Sequence, residues 1–282
     1  MLTGQVYRAV VLASSLILGG CQGWFIFEPD PVLRTSPADF ALPIDEITVP
    51  VGSDRTQRLT GWWVSAPEPD AKTFLYFHGN DGNVSVSMQE VTPLVDLKYS
   101  VCVIDYRGYG ASARLFPSEQ SVYEDAEAVW NYAVRERGID PGQLYIYGQS
   151  LGGAIAIELA RRHPEAAGLV VESSFTSIYD MARLDIRFRA LPLNLVLNQR
   201  FESLNKVPSL KMPVLFMHGT ADEIVPYSMG EELFQAAPPP KRFVVLEDGR
   251  HDHSRQAEPV IREAIARFVA ETGRPRALQS PK

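Results

Sequence analysis

The stretch Leu144–Ala160, LYIYGQSLGGAIAIELA, decides how the chain folds. A short run of β-branched and aromatic residues is followed by a glycine-flanked serine and then by an apolar run at helical length, so a strand, a sharp turn and a helix are predicted. The serine lies in Gly148-Gln149-Ser150-Leu151-Gly152, a G-x-S-x-G pattern. At a strand-to-helix turn this tight, the backbone two residues before and two residues after the serine leaves no room for a Cβ. Glycine is needed at both places, and Ser150 is presented at the tip of the turn as a nucleophile would be.

Outward from this elbow, strand-like and helix-like runs alternate. Strands are expected at Glu46–Val51, Leu59–Ser65, Thr73–Phe77, Ser100–Ile104, Gln143–Tyr147, Ala167–Val171, Pro213–Met217 and Arg242–Leu246. Helices are expected at Val84–Leu97, Glu119–Arg137, Leu151–Arg162, Ser228–Ala236 and Pro259–Glu271. That alternation specifies an α/β domain, a mainly parallel eight-stranded sheet with helices on both faces, whose reactive loops lie beyond the carboxyl ends of the strands. The forty or so residues around Phe175–Leu210 are too long for a plain connection. They read either as an apolar cap over Ser150 or as an extension of the core.

With 45% hydrophobic and 22% charged residues, the composition is that of one globular domain. The formal charge of -7 is spread without a basic block, which sets nucleic acid aside as a partner. The two cysteines, Cys21 and Cys102, form no disulfide framework or zinc site, and Cys102 falls in an apolar run where a small buried hydrophobe is expected.

The first residues have one charge before Glu28, Arg8, followed by the apolar run Ala9–Leu18. This pattern predicts a secretory signal over residues 1–20. Leu18-Gly19-Gly20-Cys21 resembles the lipobox of bacterial lipoproteins, which implies cleavage before Cys21, lipidation of its sulfur and a domain held at the cell envelope membrane. The uncharged stretch Ala9–Phe27 is also close to the ~20 residues of a membrane span, so an uncleaved single transmembrane anchor is the alternative. Residues 21–43, rich in proline, read as a tether, with the aromatic patch Trp24–Phe27 either docked on the domain or seated among lipid headgroups. The domain proper is expected over 44–272, and a disordered tail over 273–282.

A serine hydroxyl needs a base, and the base needs a carboxylate to hold its tautomer. In this architecture the chain order is serine, acid, histidine, each beyond a strand end. The segments following the last two strands, His218-Gly219-Thr220-Ala221-Asp222 and Glu247-Asp248-Gly249-Arg250-His251-Asp252-His253, supply both in the right order. Glu172 is an alternative acid and His253 an alternative base. His78 and His218 read as loop-holding residues and His163 as a surface residue.

These segments, together with His78–Asn83, Asp105–Gly110, Glu172–Thr176 and Arg200–Ser203, resemble the serine α/β-hydrolases, and more narrowly a membrane-associated branch that includes protein depalmitoylases and bacterial relatives. The resemblance runs from about Phe40 to Phe268 and implies an α/β-hydrolase fold. It implies Ser150 as nucleophile, Asp222 as acid, His251 as base, and backbone N–H groups of Leu151 and Asn80 as the oxyanion hole. Asp81, where the family has a small residue, should then point to solvent. The activity implied is cleavage of carboxylic esters or thioesters, with a lipid-linked or small acyl ester as substrate and neither metal nor organic cofactor. A serine peptidase of the same fold and a non-catalytic membrane-tethered binding protein are the other readings.

Overall fold

The structure is a computed structural model, and it describes residues 22–52, 54–188, 191–251 and 257–273. The expected signal (1–20), Cys21, His253 and the tail from 274 onward lie outside the described residues. Eight strands form the sheet: β1 Ile44–Val51, β2 Gln57–Val64, β3 Thr73–Phe77, β4 Ser100–Ile104, β5 Leu144–Gln149, β6 Gly168–Glu172, β7 Val214–Gly219 and β8 Lys241–Leu246. Their order across the sheet is β8-β7-β6-β5-β3-β4-β2-β1. The pairs β1–β2 and β2–β4 are antiparallel and every other pair is parallel.

Strict alternation along the central strands sends side chains into two cores. Leu75, Phe77, Leu144 and Ile146 face one side, under the helices Glu119–Asn131, Leu151–Arg162 and Tyr227–Ala236. Phe74, Tyr76, Tyr145 and Tyr147 face the other, under Val84–Ser87 and Glu258–Thr272. All five residues of β3 are buried, which is why this strand reads as an unbroken apolar run.

Several expectations are corrected. The helix read over Val84–Leu97 is two short helices, Val84–Ser87 and Thr92–Asp96. Pro93, which cannot donate an amide hydrogen bond, sits in the first turn of the second, where that donor is not missed. The helix from Glu119 ends as an α-helix at Asn131 and closes with a wider π-turn over Tyr132–Glu136. His163 is not a free surface residue. It stacks on Trp130 at 4.2 Å between ring centres and bonds the Glu127 carboxylate.

The largest correction concerns the tether. Gly23–Ile26 is a helical turn on the domain surface, and Glu28–Pro29 pair in parallel with Asp81–Gly82. Beyond them, the Asn83 side chain donates to the Asp30 and Val32 carbonyls. Residues 22–43 are therefore part of the domain along much of their length. The cap question has a divided answer: Phe201, Val207 and Leu210 join the core, while Ile178, Met181, Phe188, Leu191 and Leu193 face the cleft above Ser150.

Candidate active site

Ser150 has φ 54° and ψ -119°, a left-handed conformation that a serine adopts only under constraint. The constraint is visible in the flanking glycines. A Cβ on Gly148 would meet the Gly152 carbonyl oxygen at 2.0 Å, and one on Gly152 would meet the Phe77 oxygen at 1.9 Å. The turn is fastened to β6 by the Ser150 amide donating to the Glu172 carbonyl (2.9 Å) and by the Ser174 hydroxyl donating to the Ser150 carbonyl (2.8 Å).

Asp222 lies just beyond β7 and His251 just beyond β8. The two loops touch backbone to backbone: a Cβ on Gly219 would come within 2.1 Å of the Gly249 oxygen, and the Ala221 amide donates to that oxygen at 3.0 Å. Gly249 thus permits a close approach rather than an unusual turn. The left-handed residue is Asp248, at φ 55°.

His251 bridges the other two residues. Its Nε2 is 3.0 Å from Ser150 Oγ and its Nδ1 is 2.8 Å from Asp222 Oδ2. Because an ionised carboxylate only accepts, Nδ1 is the protonated nitrogen and Nε2 is left to take the serine proton. Burial would raise the Asp222 pKa, but hydrogen bonds from His218 and His251, the His251 charge and the Val225 amide outweigh it. They hold the carboxyl well below the usual range. Glu172, the alternative acid, instead accepts the Tyr147 hydroxyl.

The candidate oxyanion donors lie beside the serine. Leu151 opens a helix, so its N–H has no partner within that helix. At the other loop, Gly79 O faces His78 Nδ1 at 2.9 Å, and in a trans peptide this turns the Asn80 N–H the opposite way. The Asn80 carbonyl is itself held, accepting the Tyr109 hydroxyl at 2.6 Å and the Glu28 amide at 2.8 Å. Asp81 is exposed, as the assignment of Asn80 requires.

Ser150, Leu151 and Asn80 form the floor of a cleft of about 330 Å³. Its walls are mostly apolar: Met181, Phe188, Leu193 and Val196 from the insertion, Ile224 from the acid loop, and Phe25 and Ile26 from the N-terminal segment. This volume is at the small end of ligand pockets, and the wall chemistry suits a hydrocarbon chain. Sequence reasoning missed the contributions of Gln22, Phe25, Ile26 and Val225 to this site. The Trp24–Phe27 patch was the one available signal, and it did not separate docking on the domain from contact with lipid.

The family model described as serine aminopeptidase, S33, matches residues 68–201. An uncharacterized protein of Mycobacterium tuberculosis is 34% identical over 256 residues, which cover 88% of this chain and 90% of that one. The α/β hydrolase domain-containing protein WAV2 of Arabidopsis thaliana is 33% identical over 267 residues, covering 87% and 86%. Among solved structures, the Pyrococcus furiosus esterase Pf2001 superposes with a TM-score of 0.70 at 19% identity, covering 88% of this chain and 99% of that chain, a likeness of fold.

Proposed function

Because the chain belongs to the α/β-hydrolase family, we propose that it is a serine hydrolase that cleaves carboxylic esters or thioesters through an acyl-enzyme. The observation that carries this reading is His251 set between Ser150 Oγ and the Asp222 carboxylate. Ser150 Oγ attacks the acyl carbonyl as His251 Nε2 takes its proton. Asp222 stabilises the imidazolium and keeps its orientation without itself being protonated. The developing oxyanion is received by the Leu151 and Asn80 N–H groups, which are already oriented before reaction. Collapse expels the alcohol or thiol with the proton from His251, and water repeats the sequence to release the acid.

The apolar cleft supports an acyl chain as the recognised part of the substrate, in keeping with the depalmitoylase-like branch. We also propose that the chain is held at a membrane through a lipid on Cys21, the single transmembrane anchor being the alternative. Intact mass of membrane-extracted protein separates the two, since a lipidated Cys21 start and an unprocessed Met1 start differ by the whole signal.

A serine peptidase is the second reading, favoured by the description of the matching family model. The test of both is fluorophosphonate labelling followed by a panel of esters, thioesters and aminoacyl amides of graded chain length. Labelling lost in Ser150→Ala, with esters or thioesters turned over, is expected. Preference for aminoacyl amides would move the assignment to the peptidase, and absence of labelling in the folded protein would leave the non-catalytic binding protein.

A further inference from the structure

We infer that the N-terminal segment Gln22–Phe27 is the specificity wall of the cleft, with Phe25 and Ile26 limiting which acyl chains enter and Gln22 locking them to the insertion; this rests on the ester or thioester reading above.

Gln22 is a polar residue with only 8% of its surface exposed. Its side chain is spent on the insertion: Nε2 donates to the Val196 carbonyl, and Oε1 accepts the Asn198 amide at 2.9 Å. Both partners are backbone groups around the end of the short helix Leu193–Val196, whose Leu193 and Val196 line the cleft. Such groups need a partner when covered, so Gln22 both satisfies them and fixes the position of the segment.

Gly23 and Phe27 fasten the segment further. A Cβ on Gly23 would meet the Phe116 ring at 2.6 Å, and Phe27 is buried with Phe116 and Phe201 ring centres at 6.4 and 6.1 Å. Phe25 meets Phe188 edge to face at 5.5 Å. At its far end the segment reaches the oxyanion loop, where the Glu28 amide donates to the Asn80 carbonyl at 2.8 Å. One short piece of chain therefore runs from the cap to the loop beside Ser150 and places two hydrophobic side chains on the cleft wall as it goes.

Such a wall discriminates by volume. Enlarging Ile26 takes space from the acyl chain, while trimming Phe25 opens the side facing Phe188. The full chain is used for the test, with Ile26→Trp, Phe25→Ala and Gln22→Ala. In Ile26→Trp, the ratio of kcat/KM for decanoyl over acetyl esters is expected to fall about tenfold or more, the loss carried by KM. In Phe25→Ala, whose ring is 64% exposed so that the fold is not at stake, the preferred chain length shifts. Gln22→Ala flattens the profile. Decanoate binding by calorimetry is the second readout and needs no turnover: Ile26→Trp weakens it. If decanoate binds wild type and Ile26→Trp alike, or if all acyl lengths fall in parallel in folded variants, the wall assignment is overturned. Failure of wild type to hydrolyse any ester, with decanoate binding still sensitive to Ile26→Trp, overturns the esterase reading and leaves the wall standing.

Discussion

His218 Nε2 lies 3.3 Å from Asp222 Oδ2, the same oxygen that His251 contacts through Nδ1. The same Nε2 is 3.0 Å from the Val225 carbonyl, and since both neighbours only accept, Nε2 carries the proton and is shared between them. With Oδ1 accepting the Ile224 and Val225 amides at 2.9 and 2.8 Å, the Asp222 carboxylate is held from both sides in one orientation. Under the proposed mechanism His218 would act as a positioning residue through Asp222, in addition to the loop-holding role read from its place before Gly219.

Replacing His218 by Phe removes a hydrogen bond to a buried charged group, a loss of about 1.5–3 kcal/mol. If that loss falls on the orientation of His251, kcat drops by about ten- to a hundredfold with KM little changed. His218→Gln, whose Nε2 can still donate from the same place, should recover part of it. Equal loss in both variants, or a loss confined to thermal stability, would show that His218 only supports the loop.

For the base, His251→Ala should lower kcat by about 10³- to 10⁶-fold, and the double variant with Ser150→Ala should be no worse than either single one, because the residues act as a unit. His253→Ala, two positions on, should stay within about tenfold of wild type, a barrier change of ~1.4 kcal/mol or less. Exchange of these outcomes between two folded variants would transfer the role to His253.

Tyr109 tests the proposed oxyanion role of the Asn80 loop without touching the reacting atoms. Its hydroxyl donates to the Asn80 carbonyl at 2.6 Å, so Tyr109→Phe frees one of the two holds on that peptide. A stability cost of about 1 kcal/mol is expected. Its catalytic effect should appear in kcat rather than KM, because the Asn80 amide is needed most where charge develops. An unchanged kcat would mean that the Glu28 amide alone keeps the loop in place.

Stability should depend on pH through His78. Burial, opposed by its bond to the Gly79 carbonyl, pushes this imidazole down from 6.5 to about 4. Between those values the unfolded chain takes up a proton that the native ring refuses, so the His78 contribution is present above about pH 6.5 and is lost as pH falls toward 4. The full span is about 3 kcal/mol at most. Asp105, pushed up by burial from 3.8 to about 7 against the Val84 and Ala111 amides, runs the other way: its contribution is present at low pH and lost as pH rises through 7. Comparing wild type with His78→Gln by denaturant titration at pH 7 and pH 5 isolates the first effect. The wild type should lose stability relative to the variant at pH 5, and parallel pH profiles would rule out the buried neutral ring.

The fold was legible because each determinant was local. The alternation of apolar runs specified the strands, and all eight were placed within a few residues of their structural ends. The elbow was legible for the same reason: a left-handed serine between two backbones at contact distance demands Gly148 and Gly152, and that demand is written in five consecutive residues. That a serine, an acid and a histidine follow one another at strand ends was legible from chain order, since strand ends in a parallel sheet come together at one edge, and the resemblance to the serine α/β-hydrolases singled out Asp222 and His251. What depends on contacts between distant segments was not legible. Nothing in Gln22 announces bonds to Val196 and Asn198, more than 170 positions away, and nothing in the proline-rich stretch after it distinguishes a free tether from one paired with Asp81–Gly82. The choice between Asp222 and Glu172 as partner of His251 was likewise tertiary, because both stand at strand ends and only the packing of the loops after β7 and β8 brings one carboxylate to the imidazole. Local patterns set the backbone, whereas the walls of the cleft were set by side chains that become neighbours only when the chain is folded.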